Sequence, residues 1–385
     1  MTSDRSGAKL LLGLSLALVT LSLYRSIIRP ILFSLPAESA HDFALHSLSL
    51  GLGTKATRSI VARRLQSEPF GKLQRFGLQF RNPVGLAAGF DKNGKAVRAL
   101  CALGFGFIEV GTVTNQPQPG NPKPRIFRLP LDRALINRLG FNNSGAAQVA
   151  QNLKRCRSEC VVGVNIGKSR DVSIEDAISD YLASFDAIYD VADYIVVNVS
   201  SPNTPNLREL QRPELLVDLL RALKQRNADL TAQHSGKPLL LKIAPDLTEK
   251  EIEAIVEVAM RSGIAGMIAT NTTVHREGLK TSPAEVADYG QGGLSGVPLS
   301  RRSNEVISLV YRLTRGKLPI IGVGGVFTAE DAWKKICAGA SLIQLYTGFI
   351  YEGPRVAHQI NEGLAKILTR KGFRTLDEAV GCSVK

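Results

Sequence analysis

A lysine inside an apolar run is the first residue of this sequence that asks for a chemical explanation. Lys242 lies within Leu239-Leu-Leu-Lys-Ile243, where its neighbours are core residues. A buried ammonium needs a partner or a task. Two tasks fit: a Schiff base with a carbonyl, or a positive charge beside a group that becomes anionic. A structural ion pair is the plainer alternative. Asn137, Asn142, Asn198, Asn203 and Asn271 form a second set, each following or ending an apolar run. An amide side chain both donates and accepts, so several around one ligand suit a planar ring with alternating N–H and C=O edges. A single asparagine at such a place is more often a turn former. Lys92 stands in the same context and offers a partner for a carboxylate. A third set is Gly324, Gly325, Tyr346, Thr347 and Gly348, where glycines let backbone N–H groups approach an anion such as phosphate.

These residues need elements to hold them at one place. Apolar runs of strand length occur at 84–88, 107–111, 161–165, 194–199, 239–243, 266–270, 320–323 and 342–345. Helix-period segments follow each run. Thr248-Glu-Lys-Glu251 reads as a capping box, Pro213 as a first-turn proline, and Thr328 as a cap before Glu330 and Asp331. Ile252, Ile255, Val256, Ala259 and Met260 form a stripe expected to bury against a sheet. Eight such units point to an α/β fold, an eight-stranded parallel β/α (TIM) barrel, with an open doubly wound sheet as the rival. In a barrel, the C-terminal strand ends meet at one mouth. In an open sheet they would be spread along an edge.

The chain has 385 residues, 44% hydrophobic and 21% charged, with a net charge of +14. No nucleic-acid motif accompanies that charge, so a basic surface near a membrane is the expectation. The five cysteines form no CxxC pair, although Cys156 and Cys160 are spaced to share a helix face. They are read as reduced thiols, with no structural metal or iron–sulfur cluster. Leu10–Tyr24 is uncharged and mostly apolar. It spans roughly 22 Å as a helix, and continuing to Ile28 brings it near the ~30 Å of a bilayer core. Residues 1–29 are therefore expected to be a targeting segment and single membrane anchor, with a cleaved secretory signal as the rival. Residues 30–66 form a small unit of two amphipathic helices broken at Gly51-Leu-Gly53, able either to lie on a bilayer or to cap the barrel. Residues 67–385 are the catalytic barrel. The segment 199–212 is rich in Pro, Asn and Ser and reads as a mobile lid.

Four motifs then carry a resemblance. Asn82-Pro-Val-Gly-Leu-Ala-Ala-Gly-Phe-Asp-Lys92, Ile136-Asn-Arg-Leu-Gly-Phe-Asn142, Val197-Asn-Val-Ser-Ser-Pro-Asn203 and Gly292-Gly-Leu-Ser-Gly296 resemble the dihydroorotate dehydrogenase family, and the similarity runs from about residue 30 to about 370. The resemblance implies oxidation of dihydroorotate to orotate in pyrimidine biosynthesis, with FMN as cofactor. Ser201, where the soluble class carries cysteine, implies the membrane-associated class that reduces ubiquinone; in eukaryotes that class lies in the mitochondrial inner membrane. No nucleic acid and no obligate protein partner are implied.

By the same resemblance, Ser201 takes the proton from C5 of the substrate, and Lys242 serves the flavin. Ala88, Gly89, Thr112, Asn165, Asn198, Lys242, Thr270, Gly296, Gly325, Tyr346 and Thr347 would hold FMN. Lys92, Asn137, Arg138, Leu139, Gly140, Phe141, Asn142, Asn198, Asn203, Asn271 and Thr272 would hold the substrate. His41 and Arg128 would line a quinone tunnel formed by the two early helices. Leu32 stands where many animal members have a glutamine, which alters the polar contacts expected there. Two other readings remain open from the residues alone: a non-redox lyase or isomerase using Lys242 as nucleophile, and an inactive membrane-tethered barrel.

Overall fold

A computed structural model describes residues 23–65, 70, 73–156, 160–231 and 236–384. Eight parallel strands close into a barrel in strict chain order: β1 Val84–Leu86, β2 Phe107–Val113, β3 Val161–Ile166, β4 Tyr194–Asn198, β5 Leu239–Ile243, β6 Gly266–Ala269, β7 Ile320–Val323 and β8 Leu342–Leu345. β8 pairs back onto β1 through Ile343 with Val84, which decides for the barrel over the open sheet. Each of the eight apolar runs is one of these strands. They are buried nearly throughout, as strands covered on both faces must be.

The helix starts follow their sequence signals. Thr248 and Glu251 cap each other's backbone at the start of Glu249–Arg261, with N–H···O distances of 2.7 and 3.3 Å. Thr328 and Asp331 do the same for Ala329–Cys337, and Pro213 opens Pro213–Thr231. In the stripe, Ile252, Ile255, Val256 and Ala259 are buried, but Met260 is 41% exposed. It lies at the edge of the stripe, eight residues past its start, where 3.6 residues per turn have rotated it away from the sheet.

Two additions shape the mouth of the barrel. A three-stranded antiparallel sheet joins Ile126–Leu129, Ala134–Asn137 and Gly293–Gly296, built from the loops after β2 and β6. Helices α1 (Ala37–Gly51) and α2 (Lys55–Leu65) cover one side. They break where Gly51-Leu-Gly53 was expected to break them. Both pack on the body, burying Ala40, Leu48, Val61 and Leu65, while Phe43, Leu50 and Ile60 stay exposed.

The cysteine reading needs correction. Helix Ala146–Lys154 ends before Cys156, so Cys156 and Cys160 share no helix face. Cys160, just before β3, is disulfide-bonded to Cys101 of helix Val97–Ala102, with Cα atoms 6.0 Å apart. The two lie 59 residues apart in sequence, and the pairing of β2 with β3 brings them together. Cys156, Cys337 and Cys382 are free thiols. Among the described residues no cluster could hold a metal ion, and no helix is long and apolar enough to cross a membrane. The expected anchor falls mostly at 1–22, outside the described residues.

Candidate active site

The strand ends converge on one cavity of about 990 Å³. Its wall takes Ala88, Gly89 and Lys92 from the end of β1, Thr112 from β2, Asn198, Ser201 and Asn203 from β4 and its loop, and Lys242 from β5. Thr270, Asn271 and Thr272 follow β6, and Gly325, Tyr346 and Thr347 follow β7 and β8. The antiparallel sheet and its loops add Asn137, Leu139, Gly140, Phe141 and Gly296. Three expected contacts are absent from the wall. Asn165 is fully buried beneath it. Arg138 turns outward, with its guanidinium over the Phe127 ring at 4.8 Å and bonded to the carbonyls of Pro124 and Tyr289. Asn142 lies in the same loop but does not reach the cavity.

Hydrogen bonds order the asparagines. Asn203 Nδ2 donates to Asn137 Oδ1 at 3.2 Å, and Asn271 Nδ2 to Ser200 Oγ at 2.9 Å. Asn198 Nδ2 donates to Thr112 Oγ1 at 2.9 Å and Asn165 Oδ1 at 3.1 Å. Ser201 is 5% exposed, and its Oγ accepts from the Asn203 backbone N–H at 3.2 Å. That bond orients the hydroxyl but leaves its proton free to move. No imidazole or carboxylate bonds to it among the described residues.

Burial lowers the Lys92 ammonium to about 8, with the Glu38 carboxylate working against that shift. Lys92 is thus protonated at neutral pH and fits an acidic ligand. Lys242 is not free. It sits 3.5 Å from Glu109, a carboxylate with no solvent exposure. Glu109 escaped the sequence reading, although a charged residue in Phe107-Ile-Glu-Val-Gly111 carries the same signal as Lys242 in its own strand.

The residues present fit a phosphorylated, ring-bearing cofactor. Gly324 and Gly325 have φ of +121° and +68°. A Cβ on Gly325 would meet Ser300 Cβ at 2.5 Å, so only glycine keeps this cradle open. Thr270 Oγ1 is buried in the wall without a hydrogen-bond partner. An unsatisfied buried hydroxyl lining a cavity marks a place for a ligand atom.

A second cavity of about 960 Å³ lies between α1, the segment 24–33 and the barrel. Its wall is apolar, with Leu32, Phe43, Ala44 and Leu48, and its polar side chains include His41 and Arg128. The two cavities share Tyr346. Phe90 stands 5.8 Å from that ring and 4.8 Å from His41, so an aromatic wall separates the two spaces. Burial and the nearby Lys92 push the His41 imidazole down to about 3, leaving it neutral. Arg128 donates to the carbonyls of Leu32, Phe33 and Leu35 at 2.7–3.2 Å. It closes the C-terminal end of helix Arg29–Ser34 and lines the cavity at once.

The expected lid at 199–212 is held at both ends. Val199 and Ser200 are fully buried, and Leu207 and Leu210 are buried in a short 3₁₀ turn, 207–211. Arg208 binds Asp246 at 2.9 Å and the Ser200 carbonyl at 3.1 Å. The exposed residues of this segment are Pro205, Asn206, Glu209 and Arg212.

Residues 72–368 match the family described as Dihydroorotate dehydrogenase. Curated proteins named Dihydroorotate dehydrogenase (quinone) are 50% identical, one from Roseiflexus sp. over 94% of this chain and 99% of that one. Another, from Mycolicibacterium smegmatis, covers 94% and 100%. A crystal structure of DHODH from Eimeria tenella in complex with ferulenol has a TM-score of 0.80 at 38% identity, over 90% of this chain and 95% of that one. The ligand-free type from the same organism has a TM-score of 0.78 at 39% identity, over 86% and 99%.

Proposed function

The chain belongs to the dihydroorotate dehydrogenase family and is an oxidoreductase, and from that footing we propose that it oxidises dihydroorotate to orotate with FMN and passes the electrons to ubiquinone. The observation that carries this reading is the pair of cavities sharing Tyr346, one polar and one apolar. A single barrel lyase or isomerase would have no use for the second.

Bound FMN would supply a hydride acceptor. Ala88, Gly89, Thr112, Lys242 and Thr270 would hold it, with Gly296, Gly325 and Thr347 at its phosphate. On the substrate, Lys92 pairs with the carboxylate, and Asn137, Asn198, Asn203 and Asn271 bond to the N–H and C=O groups of the ring. Leu139, Gly140, Phe141 and Thr272 close around it. Ser201 Oγ accepts the C5 proton. A serine is a weak base at neutral pH, so the proton must pass on. Thr204, three residues along, has a buried Oγ1 without a partner among the described residues, and it would relay the proton only by passing its own to water.

The apolar cavity takes the quinone. Its head meets His41 and Arg128, and its tail leaves between α1 and the segment 24–33. Leu32 in that wall makes the lining less polar than a glutamine would. The exposed apolar residues Ile27, Ile31, Phe43 and Leu50 around this mouth support a membrane surface as the working place. A mitochondrial inner membrane gains no support from the curated relatives reported above, which are bacterial.

The Lys242 nucleophile reading is disfavoured by the Glu109 contact, because a Schiff-base amine must be neutral and free. Purified protein should be yellow, bleach anaerobically on adding dihydroorotate, and regain colour with a short-tailed quinone. A colourless protein, or a flavin that dihydroorotate leaves oxidised, overturns the proposal.

A further inference from the structure

Glu109 is a fully buried charge in the barrel. It lies on β2 with no solvent exposure, and four strands contribute to its surroundings. Oε1 accepts from Asn165 Nδ2 of β3 at 2.7 Å and faces Lys242 Nζ of β5 at 3.5 Å. Oε2 accepts from Gln344 Nε2 of β8 at 2.6 Å. Asn165 then accepts from Thr112 and Asn198, both in the cavity wall, at 2.6 and 3.1 Å. Among the described residues, Glu109 and Lys242 are each other's only ion-pair partner.

We propose that Glu109 is a positioning residue that holds Lys242 and Asn165 beneath the cofactor and sets the net charge Lys242 presents to it. This rests on reading the polar cavity as a flavin site. The physical reason is the low local dielectric. A fully buried carboxylate is retained only with strong compensation, and removing one member of such a pair leaves the other charge stranded. With Glu109 present, the pair is neutral overall, and Lys242 offers a local positive pole without a net charge. With Glu109 neutral, the full charge of Lys242 would favour any group that gains negative charge above it. A purely structural carboxylate would tie the strands together without influencing that balance.

Glu109→Gln isolates the charge from the shape. The amide can still accept from Asn165. Gln344 Oε1 has no partner, so turning that amide gives the new N–H₂ an acceptor. In the full chain with its flavin, Glu109→Gln should shift the midpoint potential positive. An unshifted potential in Glu109→Gln, or a negative shift, overturns the proposal.

A second measurement needs no flavin. Thermal unfolding of the apoprotein should fall for Glu109→Gln and for Lys242→Met, and the double variant should recover part of the sum. Additive losses overturn the pairing. A chain that never holds flavin would refute the cofactor reading, while this cycle still decides the Glu109–Lys242 coupling. Should Glu109→Gln fail to fold, Glu109→Asp keeps the charge and should hold the potential near that of the wild type; a large shift there counts against the charge argument.

Discussion

Glu38 and Arg125 form a two-pronged ion pair, with Arg125 Nε 3.0 Å from Oε2 and Nη2 2.6 Å from Oε1. Glu38 is in the first turn of α1, and Arg125 precedes the small antiparallel sheet. Both side chains are largely buried. Arg125 also donates to the carbonyls of Pro119 and Asn121, at 2.6 and 2.8 Å. Asn121 in turn donates to the Asn203 carbonyl at 3.3 Å. One run of contacts thus joins the wall of the apolar cavity to the loop that carries Ser201.

Glu38→Gln should weaken this junction by about 1.5–3 kcal/mol, the range for a hydrogen bond to a charged group. α1 would sit less firmly, so the quinone KM should rise. Flavin reduction by dihydroorotate near pH 6 should stay within about twofold, because that pH lies well below the Lys92 value of about 8. Steady-state and stopped-flow kinetics separate the two. A slowed reduction with unchanged quinone KM would contradict the assignment.

Lys92 makes the substrate site pH-sensitive. Its ammonium, lowered to about 8 by burial, is charged below that pH and neutral above it. Orotate affinity should therefore be level below pH 7 and weaken as pH rises through 8, approaching tenfold per unit. Titration calorimetry across pH 6–9.5 checks this. Glu38 holds the ammonium up, so Glu38→Gln should move the break to lower pH. Lys92→Met should abolish it.

Ser201→Ala should keep its flavin and slow anaerobic flavin reduction by at least about 100-fold, the low end for removing a general base. Its reoxidation by quinone should be unchanged. Near-normal reduction would move the proton to another group.

The early segment can be cut in two places. Tyr24 donates to the Ile350 carbonyl at 2.6 Å, Arg25 binds Glu352, and Arg29 donates to the Tyr351 carbonyl at 3.1 Å. Removing 1–22 spares these contacts, whereas removing 1–29 deletes them. The first truncation should be active and show the higher unfolding temperature; the second should lose several degrees and some quinone activity. Equal behaviour would mean that the contacts at 24–29 add nothing.

Much of the barrel was legible in the sequence. Each strand is an apolar run with a polar end, and each helix start identified from a cap or proline obeys local chemistry within a few residues. The chemistry-bearing residues were legible for the same reason. In a parallel barrel, every strand delivers its C-terminal end to one mouth, so order along the chain becomes a ring in space. Side-chain direction was not legible. Arg138 sits in a motif and Asn165 at a strand end, both beside cavity residues, yet one turns out over Phe127 and the other lies beneath the wall.

What the sequence by itself determined was periodicity, caps and the kinds of residue brought to the mouth, because these depend on near neighbours. What only the tertiary structure decided was partnership across distance. Cys101 with Cys160, Glu38 with Arg125 and Glu109 with Lys242 are 59, 87 and 133 residues apart. Nothing local marks such pairs. They exist because barrel closure brings distant strands and loops side by side and excludes water, so each buried charge must find its partner in the fold. Lys242, the lysine that first demanded an explanation, found its own in Glu109.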